Sequence, residues 1–341
     1  MVENRERGPA APAKFGLMRD LSRLPKAHLH VHLESTIRPD TLRDLGEANG
    51  IAVPAEQPVF DGFRAFGDYN GLLRSCLRRP EDFERVAREF CEDQVADGVR
   101  YAEVTFTAAA HGERLGEPDM PLVSVLKGLS AGSAEHGLHW RVLLDHSRRR
   151  SVERARLTLD LARRYVQDGV FAIGLAGEEK YPLAPFAGIC DEAAEAGLRL
   201  IHHAGEDAGP ASIREALELG HSERIGHGIR ILEDVALVAE VRERGIALEV
   251  CPSSNVTLGL VPSFEEHPLP RLVDAGLVVT LSTDVPSVTR TTLTDEFLRT
   301  REAFAYDDLA LAGLARASVD ASFATAELKR AMHQEIDAWL R

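Results

Sequence analysis

The sequence predicts an α/β chain folded as one closed (β/α)8 TIM barrel, with extra helices inserted after the first strand. Three observations predict it. A helical stretch that ends in Gly and runs straight into an apolar segment occurs seven times, at Gly98, Gly137, Gly169, Gly197, Gly220, Gly245 and Gly276. An eighth apolar run, KAHLHVHL at 26–33, precedes that series. Histidines and acids stand at the ends of several of these runs, as in HHAGE, RIGHG and LSTDVP. The physical reason is simple. A helix stops most easily at a residue that tolerates a left-handed backbone, and Gly does so without a Cβ clash. The run that follows is too short and too apolar for a surface helix and suits a strand covered on both faces, as in a parallel sheet. Eight such strands with helices between them close into a barrel, and a doubly wound open sheet is the alternative.

Taken in order, residues 1–20 (MVENRERGPAAPAKFGLMRD) are charged and rich in Pro and Ala, without the apolar stretch of a signal peptide. They read as a flexible N-terminal tail ahead of a single domain spanning 21–341. The gap from Leu33 to Val99 is far longer than one crossover helix needs. Its segment DGFRAFGDYNGLL at 61–73 falls on the face that follows a strand, where barrels carry their active sites. Phe63, Phe66, Tyr69 and Leu72 therefore read as a lid or pocket wall, or as packing for the inserted helices. Phe83, Val86, Ala87 and Phe90 recur at helical spacing and read as core.

Composition bounds the function. The chain has 341 residues, 44% hydrophobic and 28% charged, which excludes a disordered or fibrous protein. Its formal charge of −14 repels nucleic acid and anionic lipid, so neither is an expected partner. No apolar run reaches the roughly 18 residues of a membrane span. Cys76, Cys91, Cys190 and Cys251 form no Cys-x-x-Cys pair, which excludes a zinc ribbon and reads as a reduced, cytoplasmic chain.

The chemical residues cluster at strand ends. His30 and His32 lie two apart on strand 1 and so share a face, with His28 one step further back. His203 and Glu206 follow strand 5, His227 ends strand 6 and Asp284 ends strand 8. Neutral imidazoles and a carboxylate are what Zn²⁺ accepts, and Glu206 stands ready as a further acid or base. His28 reads as packing lower in the barrel, and His202 points away from its neighbour His203. The other histidines, His111 and His267 among them, show no pattern.

KAHLHVHLE, LAGEE, HHAGE, RIGHG, CPSSN and LSTDVP, in that order over about residues 24–330, resemble the signatures of the adenosine deaminase family of the amidohydrolase superfamily. The resemblance implies a (β/α)8 barrel and one Zn²⁺ per subunit, held by His30, His32, His203 and Asp284. It implies that Glu206 delivers a proton to the ring nitrogen beside the attacked carbon. To do so it must be neutral, with a pKa raised by burial. It further implies that His227 orients and helps deprotonate the attacking water, and that the Gly177 backbone meets the purine edge. The other zinc deaminase design needs His-x-Glu and Pro-Cys-x-x-Cys; CPSSN has one Cys, which excludes it.

Two departures bear on substrate. The family carries two consecutive Asp after strand 8, whereas this chain has Asp284-Val285-Pro286, and Val285 cannot hydrogen-bond a purine nitrogen. Such a lost bond can be worth about 10⁴–10⁵ in selectivity. Strand 1 ends His32-Leu33-Glu34-Ser35, where the family has an acid followed by Gly. Glu34, at a position that meets the ribose or closes the base pocket, resembles the adenine-type branch. The expectation is zinc-dependent deamination of adenosine, adenine or a modified 6-aminopurine nucleoside. The alternatives are an amidohydrolase acting on a non-purine amino-heterocycle, and a non-catalytic metal-binding barrel.

Overall fold

The computed structural model describes residues 18–55, 58–60 and 62–341, the side chains of 62–64 excepted. Eight parallel strands follow one another around the barrel in chain order. They are β1 (Lys26–His32), β2 (Val99–Phe106), β3 (His139–Ser147), β4 (Val170–Ala176), β5 (Arg199–Ala204), β6 (Arg224–His227), β7 (Ala247–Val250) and β8 (Val278–Leu281). Each apolar run singled out by its preceding Gly contributes one of them. β4 is buried along its whole length, as a strand covered on both faces must be.

The circle closes between β1 and the residues just past β8. His32 N–H donates to the Asp284 carbonyl at 2.9 Å, and Asp284 N–H donates to the His30 carbonyl at 3.0 Å. Val31 and Asp284 form a parallel bridge there. This excludes the open doubly wound sheet.

The long first connection holds α1 (Pro39–Asn49), α2 (Gly62–Cys76) and α3 (Pro80–Ala96). α3 buries Phe83, Val86, Ala87 and Phe90, the stripe expected from their spacing. Phe83 ties the insertion to the barrel, with its ring edge-on to Phe106 of β2 at 6.0 Å and to His111 at 5.1 Å. Residues 1–17 of the segment read as a tail lie outside the described residues. Its last residues are held to the domain: Arg19 Nη2 donates to the Leu340 carbonyl at 2.6 Å, and Trp339 Nε1 donates to the Asp20 carbonyl at 2.9 Å.

The barrel interior is not purely apolar. Arg224, at the start of β6, is 2% exposed and lies between Glu103 of β2 and Glu249 of β7, donating to the latter at 2.7 Å. A buried cation needs such pairing, because isolated charge is costly away from water. The four cysteines are buried and free. Among the described residues no helix is long and apolar enough to cross a membrane.

Phe83→Ala removes a ring with 1% exposure at the seam between insertion and barrel. We expect a loss of about 3–5 kcal/mol in unfolding free energy, read by denaturant titration. A loss below 1 kcal/mol would show that the insertion packs independently.

Candidate active site

His30 and His32 extend from β1, His203 from β5, and Asp284 from the turn after β8. One ligand atom of each lies within 4.8 Å of the others. His32 Nε2 is 3.3 Å from His203 Nε2 and 3.3 Å from Asp284 Oδ1, and His30 Nε2 is 3.6 Å from that same oxygen. A tetrahedral zinc with bonds of 2.0–2.1 Å has edges of about 3.4 Å, so these separations fit one ion. His30 Nε2 is buried with no hydrogen-bond partner, as a nitrogen waiting for a cation would be. The residues present therefore fit a divalent metal.

Local structure explains the convergence. Asp284 has φ +61, a left-handed backbone rare outside Gly, and it persists because both of its flanking amide bonds close the barrel. Gly226 of β6 lies beside the His30 ring, where a Cβ would come within 2.9 Å of His30 Cε1. Glu249 Oε2 accepts from His30 Nδ1 at 2.8 Å and leaves Nε2 unprotonated toward the cluster. Ser254 Oγ donates to Asp284 Oδ2 at 2.6 Å, which leaves Oδ1 for the ion. Burial, followed by the neighbouring imidazoles, holds His203 well below the usual histidine range and hence neutral.

Glu206 and His227 flank the cluster, with Glu206 Oε1 3.6 Å from His227 Nε2. Burial, then Asp284, Glu179 and Asp207, raises the Glu206 carboxyl well above the ordinary range. A shift in that direction favours the protonated carboxyl, the form needed to give up a proton. Glu179 fixes its loop by accepting from the backbone N–H of Gly205, Glu206 and Asp207 at 2.8, 2.7 and 3.1 Å.

A relay assigns the His227 tautomer. Leu269 N–H donates to His267 Nδ1 at 3.1 Å, so neutral His267 carries its proton on Nε2. That proton faces Asn255 Oδ1 at 3.1 Å, which turns Asn255 Nδ2 toward His227 Nδ1 at 3.3 Å. Burial lowers both histidines, His267 to about 4 and His227 to about 3, so both stay neutral. His227 then presents Nε2–H to the pocket, as a donor.

A cavity of about 460 Å³ opens onto these groups, a size usual for small-molecule sites. Phe66, Glu34, Gly177 and Val285 line it. Phe66 and Val285 pack with Leu258 and Val288 into one apolar wall. Gly177, at φ +88, exposes backbone there. Glu34 Oε1 accepts from Thr107 N–H and from His111 Nε2, each at 3.2 Å. Tyr69 packs against that apolar cluster, whereas the Phe63 side chain lies outside the described residues. His28 sits below, bound to Gln94 and Thr283, and His202 faces away to Gly220. Sequence reasoning missed Asp145, Glu179, Glu249, Asn255, His111 and His267. Glu179 and Asn255 had a signal, as the last residues of LAGEE and CPSSN; the others stand in no motif by which spacing could mark them.

A model of the adenosine deaminase family matches residues 25–339. The chain belongs to the adenosine deaminase family. An adenine deaminase of Streptomyces coelicolor is 36% identical over 326 residues, 93% of this chain and 96% of that one. The solved adenine deaminase of Arthrobacter aurescens superposes with a TM-score of 0.86 at 31% identity, covering 93% of this chain and 99% of the other. The N6-mAMP deaminase of Arabidopsis gives 0.82 at 26% identity, covering 93% and 99%. This deaminase is therefore an aminohydrolase on a (β/α)8 barrel.

Glu249→Gln exchanges an acceptor oriented on His30 for a weaker one. We expect zinc affinity to fall about 10–100-fold in competition with a chromogenic chelator. Unchanged affinity would show that Glu249 does not orient the ligand.

Proposed function

We propose that this deaminase is zinc-dependent and hydrolyses the exocyclic amino group of a 6-aminopurine, releasing ammonia. The observation that carries the proposal is a four-ligand cluster beside the buried Glu206 carboxyl. When bound, Zn²⁺ supplies acidification of the attacking water, lowering its pKa from about 15.7 toward about 7. Glu206 gives its proton to the ring nitrogen next to the amino-bearing carbon, which makes that carbon electrophilic. His227, donating from Nε2, orients the attacking oxygen and stabilises charge developing on it. This differs from the resemblance-based role only in direction: the relay through Asn255 gives His227 a proton to donate rather than a lone pair. The Gly177 backbone meets the purine edge, and Phe66 with Val285 forms an apolar wall against the ring. A reducing cytoplasm suits the four buried, unpaired cysteines.

The relatives named above act on adenine and on N6-mAMP, which supports a 6-aminopurine and leaves the rest of the substrate to be assigned. Val285 favours a second reading, a heterocycle with no acceptor nitrogen at the position this side chain faces. It is 1% exposed and offers only methyl groups.

Glu206→Gln is expected to keep one zinc per chain and lose about 10²–10⁴ in kcat, read by ammonia release and metal analysis. Near-wild-type turnover would remove Glu206 from proton delivery. Val285→Asp is expected to raise kcat/KM on adenosine at least tenfold. No change on any aminopurine would favour the non-purine reading.

A further inference from the structure

Two of the side chains that hold the reacting groups come from one short helix, Pro252–Thr257. Ser254 bonds Asp284 Oδ2, and Asn255 faces His227 Nδ1. Six residues make less than two helical turns, too few to be stable alone. Cys251, just ahead of them, gives their free amides no side-chain acceptor. The place of this helix must therefore be set from outside.

The helix Leu293–Phe304 supplies that support. Glu296 Oε2 accepts from Ser253 N–H at 3.2 Å, doing for that amide what a capping side chain ordinarily does. One turn further on, Arg299 Nη1 donates to Ser253 Oγ at 2.8 Å. Glu296 Oε1 accepts from Thr291 Oγ1 at 3.1 Å, which ties the same carboxyl to the segment that leads out of Asp284 and Val285. Glu296, Ser254 and Asn255 are fully buried, and Ser253 nearly so. Glu296 does not line the catalytic cavity, so it acts on the site only through other residues. A buried carboxyl is costly unless hydrogen-bonded, and here each oxygen holds a different segment of the site.

We propose that Glu296 is a positioning residue for deamination, holding Ser253 so that Ser254 stays on Asp284 and Asn255 stays on His227. This assignment rests on the zinc-dependent reading above and adds a residue to it. Without the carboxyl the helix is free to drift, and a displacement of about 1 Å at an orienting group can cost about 10²-fold in rate.

The test is a mutant cycle on the zinc-loaded protein. Burial pushes the Glu296 carboxyl up to about 7 against the pull of Ser253 and Thr291, so measurements at about pH 8.5 hold it ionised. Glu296→Leu removes both acceptor oxygens. We expect kcat for ammonia release from adenine or adenosine to fall about 30-fold, with KM within about threefold, since no group that binds substrate is touched. Zinc affinity in competition with a chelator should fall about tenfold, because Asp284 loses its orienting hydroxyl. Glu296→Gln keeps one carbonyl oxygen for Ser253 and should bring both quantities within about fivefold of wild type. In a Ser254→Ala, Asn255→Ala background the Leu substitution should change either quantity by less than about threefold, because the side chains it acts through are gone. The full extra loss in that background, an equal loss in the Gln and Leu variants, or a change confined to KM or to melting temperature overturns the assignment. If Glu296→Leu does not fold, Glu296→Asp, which draws the carboxyl back by one methylene, takes its place in the cycle. Wild-type protein that binds zinc and releases ammonia from no aminopurine would sink the deamination reading, and the zinc-affinity cycle through Ser254 would then decide the positioning role. Protein that binds no zinc would sink both.

Discussion

Closure of the barrel at β1 is the constraint on which the rest depends. Two amide hydrogen bonds join His30 and His32 to Asp284, and these three residues also supply three of the four metal-facing atoms. The seam of the fold and the centre of the site are one place. A shift of Asp284 large enough to break up the cluster would also break the bonds that close the sheet, and an open sheet would scatter the four side chains. The left-handed backbone at Asp284 follows from this double duty. Strain of about 1–3 kcal/mol survives where surrounding structure over-determines it.

The same economy appears beneath the site. Arg224 joins Glu103 and Glu249 across the barrel, and Glu249 reaches up to His30. A charge network that would be expensive alone becomes the floor under a metal ligand. Around the rim, Glu179 binds three consecutive backbone amides and so aims Glu206, while Asn255 sets which nitrogen His227 offers. Glu249, Ser254, Glu179 and Asn255 thus each hold one of the candidate groups or its loop in place.

Much of this was legible in the sequence because it was periodic or adjacent. Gly-terminated helices announced seven of the eight strands, and the two-residue step from His30 to His32 fixed a shared face. What stayed hidden was contact between residues far apart in the chain. Nothing local distinguishes Glu249 from any strand acid, and His111 and His267 lie among ordinary helical and loop residues. Their roles come from what they touch: Glu34 and Arg114 for one, Asn255 for the other. Glu34 shows the same thing at one position: what holds its Oε1, the Thr107 amide and the His111 ring, comes from a different part of the chain.

Anomalous diffraction at the zinc absorption edge, from crystals of protein purified with zinc, tests the central claim most directly. One peak per chain bonded to His30 Nε2, His32 Nε2, His203 Nε2 and Asp284 Oδ1 at about 2.0–2.2 Å is the predicted result. A fully zinc-exposed crystal with no peak there, or with the peak on other side chains, would contradict it.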